Sequence, residues 1–386
     1  MSMILPNATL GILGGGQLGR MFVIAARTMG YRVVVLDPDP NSPAAQLADE
    51  HVCAAYDDPT ALAYLGQHCR AITTEFENVP AATLAELADK TTVHPRAACV
   101  AIAQDRAAEK NFFAEHGFAV APFSIIAQPS DCPQAAQSVG FPAILKVARL
   151  GYDGKGQIHV NSLVQLEQAF AQLGEVVCVL EQRLTLRTEL SVVVARTVQG
   201  ETAAFPVAEN VHEQGILAIS TVPAQVDDAL RQQATRTALA VANTLDYVGV
   251  MAVEFFVVGE QLLINEMAPR PHNSGHYTLD ACVTDQFEQQ VRAICNLPLG
   301  DTRLLTPVAM LNLLGDVWHE CPQAAWEHVL KHPNVKLHLY GKHTARKGRK
   351  MGHCNCLSTE VTQARALAQE ISYTLAQAPK QGVPAL

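Results

Sequence analysis

The chain has 386 residues, of which 49% are hydrophobic and 17% charged, and its formal net charge is −9. Because one domain has on the order of 150 residues, this length predicts two or three globular domains. The acidic balance argues against a nucleic-acid partner or a polybasic membrane surface, and the sequence shows neither a basic leader segment nor an apolar run of the ~18 residues that a membrane span needs.

Strands and helices are predicted to alternate in the N-terminal part of the chain. The runs ATLGILG, YRVVVLD and AITTEF favour strands, TTVHP ends another, and Gln17–Met29 favours a helix. This alternation predicts a parallel, doubly wound sheet. A further helix begins near Gln104 and ends at Gly117, a residue type that is common at helix C-termini.

A glycine turn follows the first predicted strand. Gly14, Gly16 and Gly19 have the spacing G-x-G-x-x-G, and Asp37 ends the second strand. Alone, this pattern predicts a dinucleotide site, because backbone N–H groups at a helix N-terminus bind phosphate. A nicotinamide-dependent dehydrogenase is therefore one alternative, although it leaves the acidic strands of the central region unexplained.

A polar, glycine-rich loop separates the strand runs FPAILKVA and GQIHVN. Its sequence RLGYDGKGQ, residues 149–157, has three glycines that let the backbone fold over an anion, and Lys155 and the strand residue Lys146 add positive charge. The loop lacks the Walker A spacing, and a β-turn with an exposed lysine is the alternative interpretation. Beyond it we expect a helix over Leu163–Leu173 and a strand in VVCVLEQRL.

From residue 189 onward the pattern favours antiparallel strands. The runs ELSVVVART, ETAAFPVAENVH and ILAISTVPA come first, and two strong strands later flank Gly259. Between them, apolar residues recur at helical spacing from Leu230 to Leu245, which predicts an amphipathic helix.

The two strands around Gly259 each carry a glutamate. A three-residue turn places Glu254 directly opposite Glu266, whereas a two-residue turn offsets them by one. Like charges directly opposite each other destabilise a strand pair, and a divalent cation between them would remove that cost. With Asn265, the carboxylates offer hard oxygen ligands that suit Mg²⁺. Two carboxylates on a solvated face are the alternative.

Two later segments concentrate polar and positive side chains. The loop APRPHNSGHYT has donors suited to a phosphate or carboxylate on Arg270, His272, Asn273, Ser274 and His276. The stretch YGKHTARKGRKMGH is either a solvated face or the phosphate end of a substrate site, and its basic residues are Lys342, Arg346, Lys347, Arg349 and Lys350. The surrounding runs PVAMLNLLG, VKLHLYGK and GRKMGHCNCL predict a β-rich C-terminal part, closed by a helix over Thr362–Leu375.

The ten cysteines form no C-x-x-C pair. In a chain of this length, scattered cysteines predict reduced thiols and a cytoplasmic location rather than a disulfide framework. The closest pair, Cys354 and Cys356 beside His353, has the chemistry of metal ligands but lacks a second cluster to complete a site.

Taken in order, the motifs resemble a known family. GGGQLGRM, TEFENV, QDRAAEK, GYDGKGQ, AENVHEQGIL, VEFF, NEMAPRPHNSGH and YGKHTARKGRKMGH together look like the N5-carboxyaminoimidazole ribonucleotide synthetases, ATP-grasp enzymes of purine biosynthesis. The resemblance spans Gly11 to His353, and GYDGKGQ and NEMAPRPHNSGH are far more specific than the glycine turn. One departure is visible, because Lys347 stands where the family usually has proline in its R-P-G-R-K motif.

The resemblance implies a mixed α/β and α+β architecture with an ATP-grasp fold. A Rossmann-like pre-ATP-grasp domain would cover residues 1–112, a small lid subdomain 113–186, a large subdomain with the metal site 187–300, and a small β-rich C-terminal subdomain 301–386. It also implies a cytoplasmic homodimer whose partners are small molecules, with no nucleic acid and no membrane.

The implied reaction joins ATP, bicarbonate and 5-aminoimidazole ribonucleotide through carboxyphosphate, with Mg²⁺, to give the N5-carbamate, ADP and phosphate. Two alternatives keep the same fold: a formate-dependent glycinamide ribonucleotide transformylase, and a homologue that binds substrate without turnover. The motifs GYDGKGQ, PRPHNSGH and RKGRKMGH favour the carboxylating enzyme over the transformylase.

The resemblance also assigns residues. It implies Mg²⁺ ligands at Glu254 and Glu266, and an ATP site at Arg106, Lys146, Gly151, Tyr152, Asp153, Gly154, Lys155, Gly156, Gln157, Glu181, Gln182, Arg183, Leu184, Glu189, His212, Asn265 and Glu266. Substrate contacts are expected at Gly15, Gly16, Gln17, Leu18, Glu75, Tyr152, Asn273, Ser274, Arg349 and Lys350. Catalytic roles are expected for Asp153, Arg270, His272 and Lys342, with Asp153 either deprotonating the attacking amine or only positioning Lys155.

Overall fold

Three β-sheets organise the part of the chain that the structure describes. The structure is a computed structural model and describes residues 2–149, 151, 156–320 and 323–377. Along the chain, the described strands form a five-stranded, a four-stranded and a nine-stranded sheet in turn. Within the described ranges, no helix has the length and apolar character needed to cross a bilayer.

The N-terminal sheet is parallel, as its sequence predicts. Its order is β3-β2-β1-β4-β5, with β1 (Thr9–Leu13), β2 (Arg32–Leu36), β3 (Glu50–Val52), β4 (Ala71–Thr74) and β5 (Thr92–Val93). The helices of this region are α1 (Gln17–Thr28), α2 (Pro59–His68), α3 (Ala81–Ala88), α4 (Ala97–Ala103) and α5 (Arg106–Glu115). β1 and β2 are strongly apolar because helices cover both faces of a parallel sheet. The predicted end of α5 is confirmed, since Gly117 follows it with φ +75°.

The second sheet is antiparallel and has its own core. Its order is β6-β9-β7-β8, with β6 (Phe123–Ile126), β7 (Ala143–Val147), β8 (Gln157–Val160) and β9 (Cys178–Gln182). Its helices α6 (Cys132–Val139) and α7 (Leu163–Gln172) pack on the sheet around Leu145, Leu166 and Phe170. β7 and β8 pair antiparallel, from Ala143 opposite Val160 to Lys146 opposite Gln157. The glycine-rich loop therefore connects two adjacent strands.

The third sheet continues from the central region into the C-terminal region. Its main order is β15-β14-β10-β12-β13-β16-β18-β17, and β11 pairs with β10. The strands are β10 (Thr188–Arg196), β11 (Thr202–Ala204), β12 (Ala208–Glu213), β13 (Ile216–Val222), β14 (Gly249–Val258), β15 (Gln261–Ala268), β16 (Val308–Leu314), β17 (Val335–Leu339) and β18 (Lys350–Leu357). The link between the regions is the antiparallel pair β13–β16.

Six helices accompany this sheet: α8 (Asp228–Thr244), α9 (Thr278–Ala281), α10 (Gln286–Ile294), α11 (Gly315–Glu320), α12 (Gln323–Leu330) and α13 (Val361–Gln377), counting those in the described residues. Helix α8 confirms the amphipathic helix predicted from Leu230 to Leu245, and α13 confirms the helix predicted over Thr362–Leu375. The prediction of one continuous strand in ETAAFPVAENVH is wrong: Pro206 separates β11 from β12, because proline has no N–H to donate to a strand ladder.

Helix α8 begins with a side-chain cap, which leads to a stability prediction. Asp227 Oδ1 accepts a hydrogen bond from the backbone N–H of Leu230 at 2.8 Å. Replacing Asp227 with Ala should lower the free energy of unfolding by about 1 kcal/mol, because an unsatisfied N–H is left at the helix end. Urea unfolding followed by circular dichroism measures the change. Gln232→Ala, at an exposed position of the same helix, is the control; an equal loss there would contradict the capping argument.

Candidate active site

The hairpin formed by β14 and β15, here called the acidic hairpin, places Glu254 opposite Glu266. It does so without the three-residue turn that this pairing was expected to need. The turn between β14 and β15 has two residues, since Val258 pairs with Gln261. A β-bulge at Asn265 then shifts the register by one, so that Glu254 pairs with Glu266. The opposition that a three-residue turn predicts is therefore reached with a two-residue turn and a bulge.

The hairpin has the properties of a hard-cation site. Burial, and then repulsion by Glu266, raises the pKa of Glu254 to about 7. The side-chain oxygen of Asn265 is buried and has no hydrogen-bond partner among the described residues. Two carboxylates and an amide oxygen are the ligand types that Mg²⁺ prefers, so these residues fit a magnesium ion.

A buried carboxylate lies behind this site. Glu181 on β9 is 2% exposed, and its oxygens lie 3.0 Å from Lys146 Nζ and 3.1 Å from Lys110 Nζ. Burial alone would raise the pKa of Glu181, but the charges of Lys146, Lys110 and Arg106 lower it to about 2. The Glu181 side chain thus holds cations in place. Gln182 and Arg183, which follow Glu181 and are also predicted for the ATP site, donate their backbone N–H groups to the carbonyls of Pro122 and Pro142.

Helix α5 supplies the cations from one face. Arg106, Glu109 and Lys110 are three and four residues apart and therefore lie on the same side of the helix. Arg106 Nη1 lies 3.5 Å from Glu266 Oε2, and Lys110 Nζ donates to the backbone carbonyl of Asn265 at 2.8 Å. Arg106 is among the residues predicted for the site, whereas Glu109 and Lys110 are not. Their spacing from Arg106 would have placed them on the same face of the predicted helix.

After Glu254, Glu109 is a second acid whose pKa is raised. It is buried, and Glu109 Oε1 accepts a hydrogen bond from the backbone N–H of Met267 at 2.7 Å. Burial, followed by the charge of Glu266, raises the pKa of Glu109 to about 8. Glu109 therefore carries a proton at neutral pH, which limits the negative charge that gathers around the hairpin.

The loop after β15 presents Arg270 and His272 to the acids. Arg270 Nε donates to a carboxylate oxygen of Glu77, a residue that the sequence analysis missed, and this partner fixes the guanidinium. His272 Nδ1 accepts the backbone N–H of Ser274, which leaves Nε2 to donate to Glu254 Oε1 at 3.1 Å. Burial lowers the pKa of His272 well below its usual value, so the ring is neutral.

Buried amides and hydroxyls support this loop from behind. The side chain of Gln286 on α10 binds both backbone groups of His272, at 2.8 Å each. Ser274 is fully buried, and its hydroxyl accepts a hydrogen bond from the hydroxyl of Ser191 at 2.7 Å. The structure therefore places Ser274 as a support of His272, not at the predicted substrate contact, because its side chain points into the protein.

The glycine turn binds carboxylates of the protein itself. The backbone N–H of Gly15 donates to Asp37 at 2.6 Å, and those of Gly16 and Gly19 donate to Glu75 at 2.5 and 2.6 Å. A Cβ on Gly16 would lie 2.5 Å from the Glu75 carboxylate. The position of a dinucleotide phosphate is thus filled by Glu75, and the N–H groups of Gly15 and Gly16 are used within the protein. This arrangement argues against the nicotinamide alternative.

Two cavities meet at the junction of the three sheets. The first, of about 410 Å³, is lined by most of the predicted ATP-site residues that the structure describes: Arg106, Lys146, Gly151, Gly156, Gln157, Glu189, His212, Asn265 and Glu266. Within it, His212 Nδ1 lies 3.1 Å from Glu189 Oε2. Four predicted ATP-site residues, Glu181, Gln182, Arg183 and Leu184, are not among its lining residues, whereas Leu186 is. Tyr152, Asp153, Gly154 and Lys155 lie outside the described residues.

The second cavity, of about 650 Å³, contains the basic stretch. Its lining includes Gln17, Leu18, Glu75, Asn273, Lys342, Arg349 and Lys350, all predicted for the substrate or for catalysis. Lys342 Nζ donates to Gln17 Oε1 and to the backbone carbonyl of Lys350, which ties the C-terminal loop to the start of α1. Lys347, the departure from the family motif, also lines this cavity and is exposed.

Comparisons with known proteins agree with this geometry. The chain matches three family models: a ribonucleotide synthetase preATP-grasp domain over residues 7–104, an ATP-grasp domain over 111–287, and a phosphoribosylaminoimidazole carboxylase C-terminal domain over 308–367. The order of these matches confirms the ATP-grasp fold, with a domain before it and one after it.

Two similar proteins and one similar solved structure carry closely related names. N5-carboxyaminoimidazole ribonucleotide synthase of Bacillus subtilis is 46% identical over 91% of both chains, and that of Brucella melitensis is 45% identical over 90% of this chain and 96% of its own. A crystal structure of the Aspergillus clavatus N5-carboxyaminoimidazole synthase with ADP and 5-aminoimidazole ribonucleotide has a TM-score of 0.89 at 31% identity, covering 96% of this chain and 99% of that one.

The raised pKa of Glu254 leads to a pH prediction for cation binding. Because Glu254 must lose a proton of pKa about 7 before it can bind a metal ion, affinity should fall as the pH drops. Between pH 8 and pH 6 we expect a loss of about tenfold for Mn²⁺, a paramagnetic substitute for Mg²⁺, measured without nucleotide. Glu254→Gln should bind Mn²⁺ more weakly and without this pH dependence. Equal affinity of the unaltered protein at both pH values would contradict the assignment.

Proposed function

We propose a function from the premise that this chain belongs to the N5-carboxyaminoimidazole ribonucleotide synthase family. It is an ATP-dependent carbon–nitrogen ligase of purine biosynthesis. It joins bicarbonate to the exocyclic amine of 5-aminoimidazole ribonucleotide and converts ATP to ADP and phosphate. The formate-dependent transformylase alternative is not favoured, because the comparisons above all carry the carboxylating name.

One geometric observation carries this proposal: the two cavities share a wall. The shared residues, which line both, are Glu77, Asn78, Arg270, His272, Asn273 and Lys350. A nucleotide in the first cavity and a ribonucleotide in the second would therefore face each other across Arg270 and His272. Such proximity is what the transfer of a short-lived carboxyl donor requires.

The nucleotide end of the site is built for polyphosphate. Arg106 and Lys146 offer positive charge in the first cavity, where Glu254, Glu266 and Asn265 would hold Mg²⁺. When bound there, Mg²⁺ would offset the negative charge that develops on the phosphate groups. Glu189 and His212 lie further along the same cavity, where we place the ribose of ATP.

The carboxyl transfer takes place at the shared wall. An oxygen of bicarbonate attacks the γ-phosphorus of ATP, the bond to ADP breaks, and carboxyphosphate forms. Arg270, which Glu77 orients, binds the bicarbonate oxygens, and beside them neutral His272 directs its one N–H, on Nε2, to Glu254. The amine nitrogen then attacks the carboxyl carbon, directly or after release of CO₂; phosphate leaves and the amine loses a proton. We assign the acceptance of that proton to Asp153.

The substrate end of the site lies in the second cavity. We place the phosphate of 5-aminoimidazole ribonucleotide against Lys342, Arg349 and Lys350, and the rest of the substrate towards Glu75 and Asn273. Gln17 and Leu18 at the start of α1 line this cavity as well. We further propose, on the family resemblance alone, a cytoplasmic homodimer, which analytical ultracentrifugation would test.

Substrate-dependent ADP release tests the function. The purified protein is mixed with Mg²⁺-ATP and bicarbonate, with and without 5-aminoimidazole ribonucleotide, and in parallel with formate and glycinamide ribonucleotide. We expect strong stimulation by the aminoimidazole nucleotide. Stimulation by the formate pair alone would overturn the substrate assignment, and no stimulation by either would indicate a homologue without turnover.

The guanidinium group of Arg270 leads to a prediction on turnover. Arg270→Lys keeps the positive charge but loses the bidentate geometry, so kcat should fall at least about 100-fold while ADP binding changes little. Steady-state kinetics and calorimetric ADP binding measure the two effects. Arg303→Lys, at an exposed arginine paired with Asp301, is the matched control. An Arg270→Lys enzyme of unchanged kcat would exclude Arg270 from the reaction.

A further inference from the structure

A second cluster of metal-ligating side chains lies on the C-terminal region, apart from both cavities. His328 is on α12, His332 lies two residues after the end of this helix, and Glu370 is on α13. The backbone N–H of Lys331 donates to the carbonyl of Glu327, so the chain continues in a helical turn beyond α12. His328 and His332 are four residues apart and therefore lie on one face.

Packing fixes the positions of these three residues. Val329 and Ile371, the chain neighbours of His328 and Glu370, are fully buried in the same apolar core. The two helices are therefore held against each other independently of any ion. Their side chains at positions 328, 332 and 370 converge at the rim of this core.

The ligand atoms of the three residues lie close together. The Nε2 atoms of His328 and His332 are shielded from solvent and make no hydrogen bond with any residue that the structure describes. Such buried, unsatisfied nitrogens are costly and call for an explanation. One ring nitrogen of each histidine and one carboxylate oxygen of Glu370 lie within 4.8 Å of one another.

The distances suit a tetrahedral ion. Two ligands about 2.1 Å from Zn²⁺ at a tetrahedral angle are about 3.4 Å apart. His328 Nε2 lies 3.4 Å from Glu370 Oε1, and the two imidazole rings lie 5.2 Å apart, 75° from parallel. The rings can thus point their nitrogens at one ion from different directions, and water would complete the coordination.

We propose that His328, His332 and Glu370 form a zinc site that clamps the segment around α12 onto α13. Two imidazoles and one carboxylate favour Zn²⁺ over Mg²⁺, which prefers ligand sets made of oxygen alone. The acidic hairpin and this clamp therefore differ in ligand chemistry. Cys354 and Cys356, the pair that sequence spacing suggests, contribute nothing here, because both are buried in the apolar core between the sheet and α13.

Zinc titration of the full-length protein tests the clamp. Calorimetry is run with excess Mg²⁺ and ADP, so that the acidic hairpin is occupied, and Co²⁺ absorption serves as a second readout because it is sensitive to coordination number. We expect one Zn²⁺ per chain and a rise in melting temperature. Since losing even a partner of a ligand costs about 10- to 100-fold in affinity, His332→Asn should weaken binding at least about 100-fold.

Matched variants keep the test decisive. Glu370→Gln alters an exposed side chain, so it should weaken zinc binding while the zinc-free protein melts at an unchanged temperature. His68→Asn removes an exposed histidine of α2 and should bind Zn²⁺ like the unaltered protein. Unchanged Zn²⁺ affinity in both His332→Asn and Glu370→Gln, or no binding in the micromolar range by the unaltered protein, would overturn the proposal.

Discussion

A single buried ammonium group holds the nucleotide side of the site together. Lys110 is fully buried, and its Nζ contacts the Glu181 carboxylate of the four-stranded sheet and the bulge carbonyl at Asn265 of the nine-stranded sheet. Removing three charges from water is costly, and each must find compensating partners within the protein. Lys110, Lys146 and Glu181 provide them for one another. Because the same lysine also fixes the bulge, the position of the acid pair depends on it.

The acids around the hairpin differ because their surroundings differ. Glu181 has three cations nearby and is ionised, whereas Glu109 and Glu254 are buried beside Glu266 and have raised pKa values. Although Arg106 lies 3.5 Å from Glu266, the two carboxylates of the hairpin keep negative charge that a divalent cation would offset. This asymmetry explains how a chain of net charge −9 can build both a cation site and an adjacent anion-binding wall.

Periodicity predicted the parallel sheet and the principal helices, whereas most of the residues assigned to the two cavities came from the resemblance of short motifs to a known family. What it missed depends on contacts between distant segments. The role of Glu77 follows only from its ion pair with Arg270, and that of Gln286 only from its hydrogen bonds to the backbone of His272. The opposition of Glu254 and Glu266 could be stated only as a condition on the turn, because a bulge leaves no clear sequence signal. The spacing of His328 and His332 is likewise readable, but their partner Glu370 comes from another helix.

The continuity of the nine-stranded sheet has a consequence for how the chain can be divided. The strands β16, β17 and β18 extend the sheet edge formed by β13, so a fragment ending before β16 would leave the backbone groups of β13 unpaired. Such a fragment would also expose Ile219, which packs with the C-terminal core. Open edges of this kind template aggregation. The C-terminal region is therefore not expected to be separable as an independently folding domain. Truncation or fusion should be better tolerated at the chain ends than between β15 and β16.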